Sequence, residues 1–352
     1  MAQPFDADHL KVAGDPVRLA ENVSPVGVLG PTGYLSASAS GTGLLVYRND
    51  VSSVSQLDVL DRSRKTLRTI GPPGAYGEPE LSPDQKKIAV ELPDSHGSGI
   101  YTPLWLMDVE TGAISRFTFD NFDYLSPLWS PDGRWIYFSS NRTGPYNVYR
   151  KLTDGSADAE LVVQAPNTVS PGDISRDNRF LLIEDYSPVT NRDLLFLPLA
   201  TGGKPSPFRV TPASESDSRF SPDGRWVAYC SDENRAGDFE IFVSSFPPNT
   251  SKWQVSSEGG YWPMWRDDGR ELHFISGTNL MAAEVIPGST FQFRPPHPLF
   301  QVRLAQSVFT QAHSGYFAFP GGQKFLVNQF VNSGEVPPMT VVANWTSGLK
   351  KK

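Results

Sequence analysis

The chain has 352 residues, and its 39% hydrophobic and 12% aromatic content is far too high for a disordered polymer, so a sizeable core is expected. A net charge of -7, from 31 basic and 38 acidic residues, argues against a nucleic-acid or anionic-membrane surface, and no basic cluster exceeds Lys350-Lys351-Lys352. No basic segment precedes an apolar stretch at the amino end, no eighteen apolar residues run together, and the single cysteine, Cys230, can form no internal disulfide; the sequence thus offers neither an export signal nor a segment that inserts in a membrane, and leaves the compartment open.

Taken in order, Met1-Ala2-Gln3-Pro4-Phe5-Asp6 through Pro16-Val17-Arg18-Leu19 resembles the stretch from Met281 to Phe300, which reads as the outer half of a later repeat. The chain is therefore expected to start in mid-repeat, as a piece of a longer protein. Ser38-Ala39-Ser40-Gly41 then precedes the strand-like Leu44-Leu45-Val46-Tyr47, and Leu81-Ser82-Pro83-Asp84-Gln85 repeats that order. The unit is fullest at Trp129-Ser130-Pro131-Asp132-Gly133-Arg134-Trp135, and it returns as Ile174-Ser175-Arg176-Asp177-Asn178, Phe220-Ser221-Pro222-Asp223-Gly224-Arg225-Trp226 and Trp265-Arg266-Asp267-Asp268-Gly269. A last, degenerate copy is Phe319-Pro320-Gly321-Gly322 before Lys324-Phe325-Leu326-Val327. Ser, Pro and Gly at these places suit a type I turn, with glycine supplying the left-handed residue that lets a hairpin resume.

The anchors Ser40, Asp84, Asp132, Asp177, Asp223, Asp268 and Gly321 stand 44, 48, 45, 46, 45 and 53 residues apart. Four strands of about five or six residues with short connections fill such a period, which is that of propeller blades. The expectation is an all-β, seven-bladed propeller of four-stranded antiparallel blades, with six blades as the alternative, forming a single domain over 1–352 with a disordered tail at 346–352. Ring closure is expected from an N-terminal strand: Tyr316–Phe319 and Gln323–Asn328 would be the inner strands of the last blade, Met339–Trp345 its third and Val17–Ala20 its fourth.

These hairpins, the turns Asn141-Arg142-Thr143-Gly144 and Asn234-Arg235-Ala236-Gly237, Ser115-Arg116-Phe117-Thr118-Phe119-Asp120 and Pro298-Leu299-Phe300 resemble the TolB-like, WD-like β-propeller repeats. More narrowly, Pro4-Phe5-Asp6, the run Ser126 to Asn141 and Val341-Val342-Ala343-Asn344-Trp345 are similar to the propeller that follows the membrane segment in bacterial receptor-like serine/threonine kinases. The resemblance implies a sensor or interaction domain, extracytoplasmic or periplasmic if attached to such a kinase. No Gly-x-Gly-x-x-Gly, His-Arg-Asp or Asp-Phe-Gly marks a kinase within the chain itself.

No Gly-x-Ser-x-Gly elbow is present, and His9, His96, His273, His297 and His313 are scattered without metal-ligand spacing. The expectation is accordingly no catalytic activity, no metal and no cofactor. Asp84, Asp132, Asp177, Asp223 and Asp268 are read as structural, each accepting N–H bonds within its own turn. Residues six to eight before each anchor fall where the innermost strand enters, on one rim of the channel: Tyr76, Tyr124, Glu215, Tyr261, Trp262 and His313. They are the candidate ligand-binding residues, for a peptide, protein or glycan-like partner of a monomeric ring. A propeller enzyme of the lyase or glycosidase type, with its site in the central channel, is one alternative, and a TolB-like scaffold within an envelope complex is another. The enzyme would require carboxylates or histidines converging there with strongly shifted pKa values.

Overall fold

The computed structural model describes residues 54–93, 101–305 and 315–331, together with short strands outside them. The chain divides into two compact units: Met1–Ser53 with Val308–Thr310 and Val331–Lys352, and Val54–Ser307 with Gln311–Phe330. In the first unit the described backbone forms antiparallel pairs, Phe5–Asp6 with Lys11–Val12 and Pro25–Val26 with Tyr34–Leu35. It also forms a three-stranded sheet in which Leu44–Arg48 lies between Ala37–Ala39 and Met339–Ala343.

The second unit is a ring of six blades. Blade 1 consists of Glu80–Leu81, Lys87–Glu91, Leu104–Asp108 and Ile114–Arg116, from the innermost strand outward. Blades 2, 3 and 4 repeat this order over Tyr124–Val163, Val169–Arg209 and Glu215–Gln254. In blade 5, Tyr261–Trp265, Glu271–Ser276 and Asn279–Ile286 are followed by two short strands, Gln292–Phe293 and His297–Gln301, that both pair with the third. Blade 6 takes its inner strands, Tyr316–Ala318 and Lys324–Phe330, from late in the chain and its outer ones, Ser55–Asp61 and Thr66–Gly74, from early in it.

Six blades replace the expected seven. The repeat at Ser40 builds no blade of the ring, because its strand Leu44–Arg48 is paired in the first unit with Met339–Ala343, the segment expected in the last blade. The third place in blade 6 is held instead by Ser55–Asp61, which is in register with Lys324–Phe330 along its whole length. Thr66–Gly74 fills the fourth place. Val17–Ala20 and the tail 346–352 lie outside the described residues.

Six apolar clusters sit one at each seam between neighbouring blades. Leu57, Ile70, Ile88 and Met107 join blades 6 and 1; Phe300, Leu280, Phe325 and Val327 join blades 5 and 6. The four others follow in order round the ring. A blade buried on both faces explains the nearly continuous apolar runs of its second strands, such as Ile88-Ala89-Val90 and Leu181-Leu182-Ile183.

The hairpin turns are built alike. Asp84, Asp132, Asp177 and Asp223 each accept the hydroxyl of the serine two residues before, at 2.6 to 2.7 Å, and the amide two residues after, at 3.0 to 3.1 Å. At Asp268 the guanidinium of Arg266 takes the serine's place. These bonds hold each carboxyl below its ordinary value. The residue after the anchor is left-handed in every turn, as Gly133, Gly224 and Gly269 but also as Gln85 and Asn178.

Candidate functional site: an acidic channel

Two sequence positions per blade meet around the axis. The first lies six residues before the anchor, in the innermost strand, where Ser126, Asp217 and Trp262 are all left-handed, with φ of 54°, 56° and 56°. Each sits in a register shift between the first two strands of its blade. A left-handed conformation at non-glycine residues costs about 1 to 2 kcal/mol apiece and persists only where neighbours hold it.

The neighbours belong to the preceding blade, at the position seven residues after its anchor: Glu91, Ser139, Glu184, Cys230, Ile275 and Asn328. Glu91 Oε1 accepts the Ser126 amide at 2.7 Å and Glu184 Oε1 accepts the Asp217 amide at 2.6 Å. The Cys230 sulfur accepts that of Trp262. In blade 3 the corresponding residue is Pro171, which has no amide to give. Ser139 reverses the polarity there and donates to the Val169 carbonyl at 3.0 Å. Asn328 likewise donates to the carbonyls of Tyr76 and Gly77. Beside the apolar Ile275, the Tyr316 hydroxyl reaches the Trp262 carbonyl at 2.8 Å.

Four residues before the anchors, the innermost strands present Glu80, Leu128, Asp173, Arg219, Met264 and Phe317. Arg219 stands 4.0 Å from Glu80 and 3.8 Å from Asp173, so one guanidinium serves two carboxyls. Asp173 also accepts the Phe220 amide at 2.7 Å. With Glu78, Glu91, Glu184, Asp217 and Arg192 this makes six acids and two arginines on the channel side of the blades.

Burial pushes Glu80 up to about 7, against the pull of Arg219 and with help from Asp173. It pushes Glu91 and Glu184 up to about 8, Asp217 adding to the shift at Glu184. Asp217 is raised less, because Arg192 offsets its burial. Glu78, Glu80, Ser126, Gly172 and Arg219 line a narrow opening of about 10 Å³ in this channel.

The expected rim residues are distributed unevenly. Tyr76 and Tyr124 are buried at blade seams; the first donates its hydroxyl to the Pro72 carbonyl at 2.6 Å, and the second lies against Arg142 and Phe138. Glu215 is buried, accepts the Thr211 hydroxyl, and is raised by burial to about 7. Tyr261 is 37% exposed and its ring centroid is 6.2 Å from that of the half-buried Trp262. His313 lies outside the described residues.

The channel acids were not singled out from sequence, although a signal was there. Glu91, Glu184, Cys230 and Asn328 each end an apolar run at one fixed offset from a turn. A polar residue recurring inside a buried strand needs a partner. Among the described residues, no group of three or more His, Cys, Asp or Glu side chains is arranged to hold a metal ion.

Fold and channel together define the class: a six-bladed β-propeller with an acid-rich, arginine-bridged axis. No sequence-family profile matches the chain. A putative TolB from Agrobacterium tumefaciens superposes with a TM-score of 0.61 at 15% identity, over 79% of this chain and 98% of that one, and establishes the TolB-like propeller fold. An oligogalacturonate lyase in complex with manganese superposes with a TM-score of 0.51 at 14% identity, over 89% of this chain and 81% of that one. In sequence, the uncharacterized peptidase YuxL of Bacillus subtilis is 24% identical over 198 residues, 46% of this chain and 30% of that protein. The chain spans under a third of the length of the curated relatives it matches.

The match to a protein named a peptidase corrects the expectation of a chain without catalytic activity. That expectation rested on missing hydrolase and metal motifs. A channel is assembled from residues far apart in sequence, and no local motif reports it.

Proposed function

We propose that the six-bladed ring is a ligand-binding propeller that takes a glycan-like ligand at the channel mouth beside Tyr261 and Trp262. The observation that carries this reading is an aromatic pair, the exposed Tyr261 and the half-buried Trp262, next to an acid-rich channel: the Trp262 amide is held by Cys230, which interacts directly with Asp217. Aromatic faces accept the apolar face of a sugar ring, while carboxyls and guanidinium groups satisfy its hydroxyls. Thermal-shift and calorimetric titration with cell-wall oligosaccharides and with short peptides tests it. Oligosaccharides should stabilise the chain and Trp262→Ala should remove the effect. Stabilisation by peptides alone would overturn the choice of ligand.

A second reading, favoured by a separate observation, is acid–base chemistry in the channel. Glu80, held near 7 beside Asp173 and Arg219, is suited to both giving and taking a proton at neutral pH. Turnover of a bound oligosaccharide that disappears in Glu80→Gln would support it. In its finer form the binding reading makes this monomeric propeller the extracytoplasmic sensor of a receptor-like serine/threonine kinase. The motifs quoted from sequence support that form, and a search of the gene for an upstream kinase reading frame tests it.

A further inference from the structure

At the opposite end of the channel, where the hairpin turns gather, the blades form a second, half-open pocket with a volume of about 240 Å³. Trp129, Met264, Trp265 and Phe317 line it, together with two acids, Glu80 and Asp267. The walls are fixed in place. Trp129 Nε1 donates to the Glu80 carbonyl and Trp265 Nε1 to the Arg219 carbonyl, both at 3.1 Å, and Met264 Sδ accepts the Ala318 amide at 3.1 Å.

At about 240 Å³ the pocket has room for a ligand of about ten heavy atoms rather than a drug-sized one, and the lining is the usual one: apolar and aromatic walls with few polar groups. The charge is unbalanced. Glu80 and Asp267 are in the lining and no basic residue is; Arg219, shared between Glu80 and Asp173 at the long distances of 4.0 and 3.8 Å, lies outside it. An anion would meet two carboxyls there. A neutral apolar molecule would bury Glu80 further without a partner, at a cost. A cation with an apolar body satisfies both features, because indole and phenyl faces attract it as well.

We propose that this turn-side pocket binds an organic ammonium ion, a protonated or quaternary amine on an aromatic or branched apolar body. The ammonium group rests against Glu80, and the body lies between Trp129, Trp265 and Phe317. The site is separate from the glycan mouth, which lies at the other end of the channel, and stands whether or not that reading does.

Calorimetric titration of the full chain with phenethylamine, phenethyl alcohol and phenylacetate tests it, with the indole N–H signals of Trp129 and Trp265 followed by NMR. Phenethylamine should bind and shift both signals, the alcohol should bind at least roughly tenfold more weakly, and phenylacetate should not compete. Glu80→Gln should weaken the amine by roughly tenfold with little effect on the alcohol. Should that buried substitution disturb folding, Phe317→Ser, at a half-buried wall, should weaken amine and alcohol alike. Equal binding of alcohol and amine, preference for phenylacetate, or no response of the two indole signals to the amine would overturn the proposal.

Discussion

At the scale of the residue, each hairpin turn depends on one left-handed position. Gly133 and Gly224 occupy it freely, whereas Gln85 and Asn178 hold φ of 62° and 57° in their copies of the turn. Asparagine tolerates that region through local hydrogen bonding; glutamine has no such compensation. Gln85→Gly should therefore stabilise the ring by about 0.5 to 1 kcal/mol, the relief of strain exceeding the added freedom of the unfolded chain. Gly133→Ala should cost about 1 kcal/mol, although open space surrounds its Cα. Urea midpoints at constant m-value measure both, and a destabilised Gln85→Gly would refute the argument. This position was legible in sequence because its chemistry is local: serine, aspartate and glycine within five residues decide the turn. The buried acceptors Glu91 and Glu184 were less legible, since their partners, the amides of Ser126 and Asp217, belong to another blade and gain their orientation only from the bulge that aims them.

At the scale of the element, the closing blade shows where local pattern ceases to decide. Ser55–Asp61 and Met339–Ala343 are both plausible strands, and nothing in either segment alone says which pairs with Lys324–Phe330. A side chain at the blade 5 seam contributes to the choice. Arg62, in the turn that follows Ser55–Asp61, grips Glu271 of blade 5 with two nitrogens at 2.9 and 3.1 Å and the Gly322 carbonyl with the first of them. Glu271 also meets Arg266 at 3.2 Å and the buried His273 at 3.1 Å. The bond from His273, more than that from Arg62, holds its carboxyl far below the ordinary value. Glu271→Gln would leave two guanidinium groups at the seam without their carboxylate and should cost about 2 kcal/mol. Arg62→Lys, which cannot make the two-pronged contact, should lose part of that. A double-mutant cycle between positions 62 and 271, read from urea midpoints, checks the coupling; additive effects would show that the seam closes through its apolar cluster alone.

At the scale of the whole molecule, the two kinds of shifted acid set opposing limits on stability. Glu91 and Glu184 have folded values near 8 against 4.5 for an unperturbed glutamate, so between those limits the folded ring keeps protons that the unfolded chain releases. Their contribution is complete below about pH 4.5 and is lost as pH rises toward 8. Glu271 and the turn aspartates are lowered, so the unfolded chain binds the extra protons; their contribution is complete above about pH 4.5 and is lost as pH falls. Stability should therefore peak near pH 5 and decline on both sides, although the net charge of -7 by itself says nothing of where the peak lies. Thermal melts across the acid and neutral range test this directly. Glu184→Gln, which keeps an oxygen to accept the Asp217 amide, should flatten the alkaline limb and leave the acid limb as it was. A profile level between pH 5 and 8 would mean that Glu91 and Glu184 ionise inside the folded ring at little cost. The channel would then be wetter and more polar than its buried side chains imply.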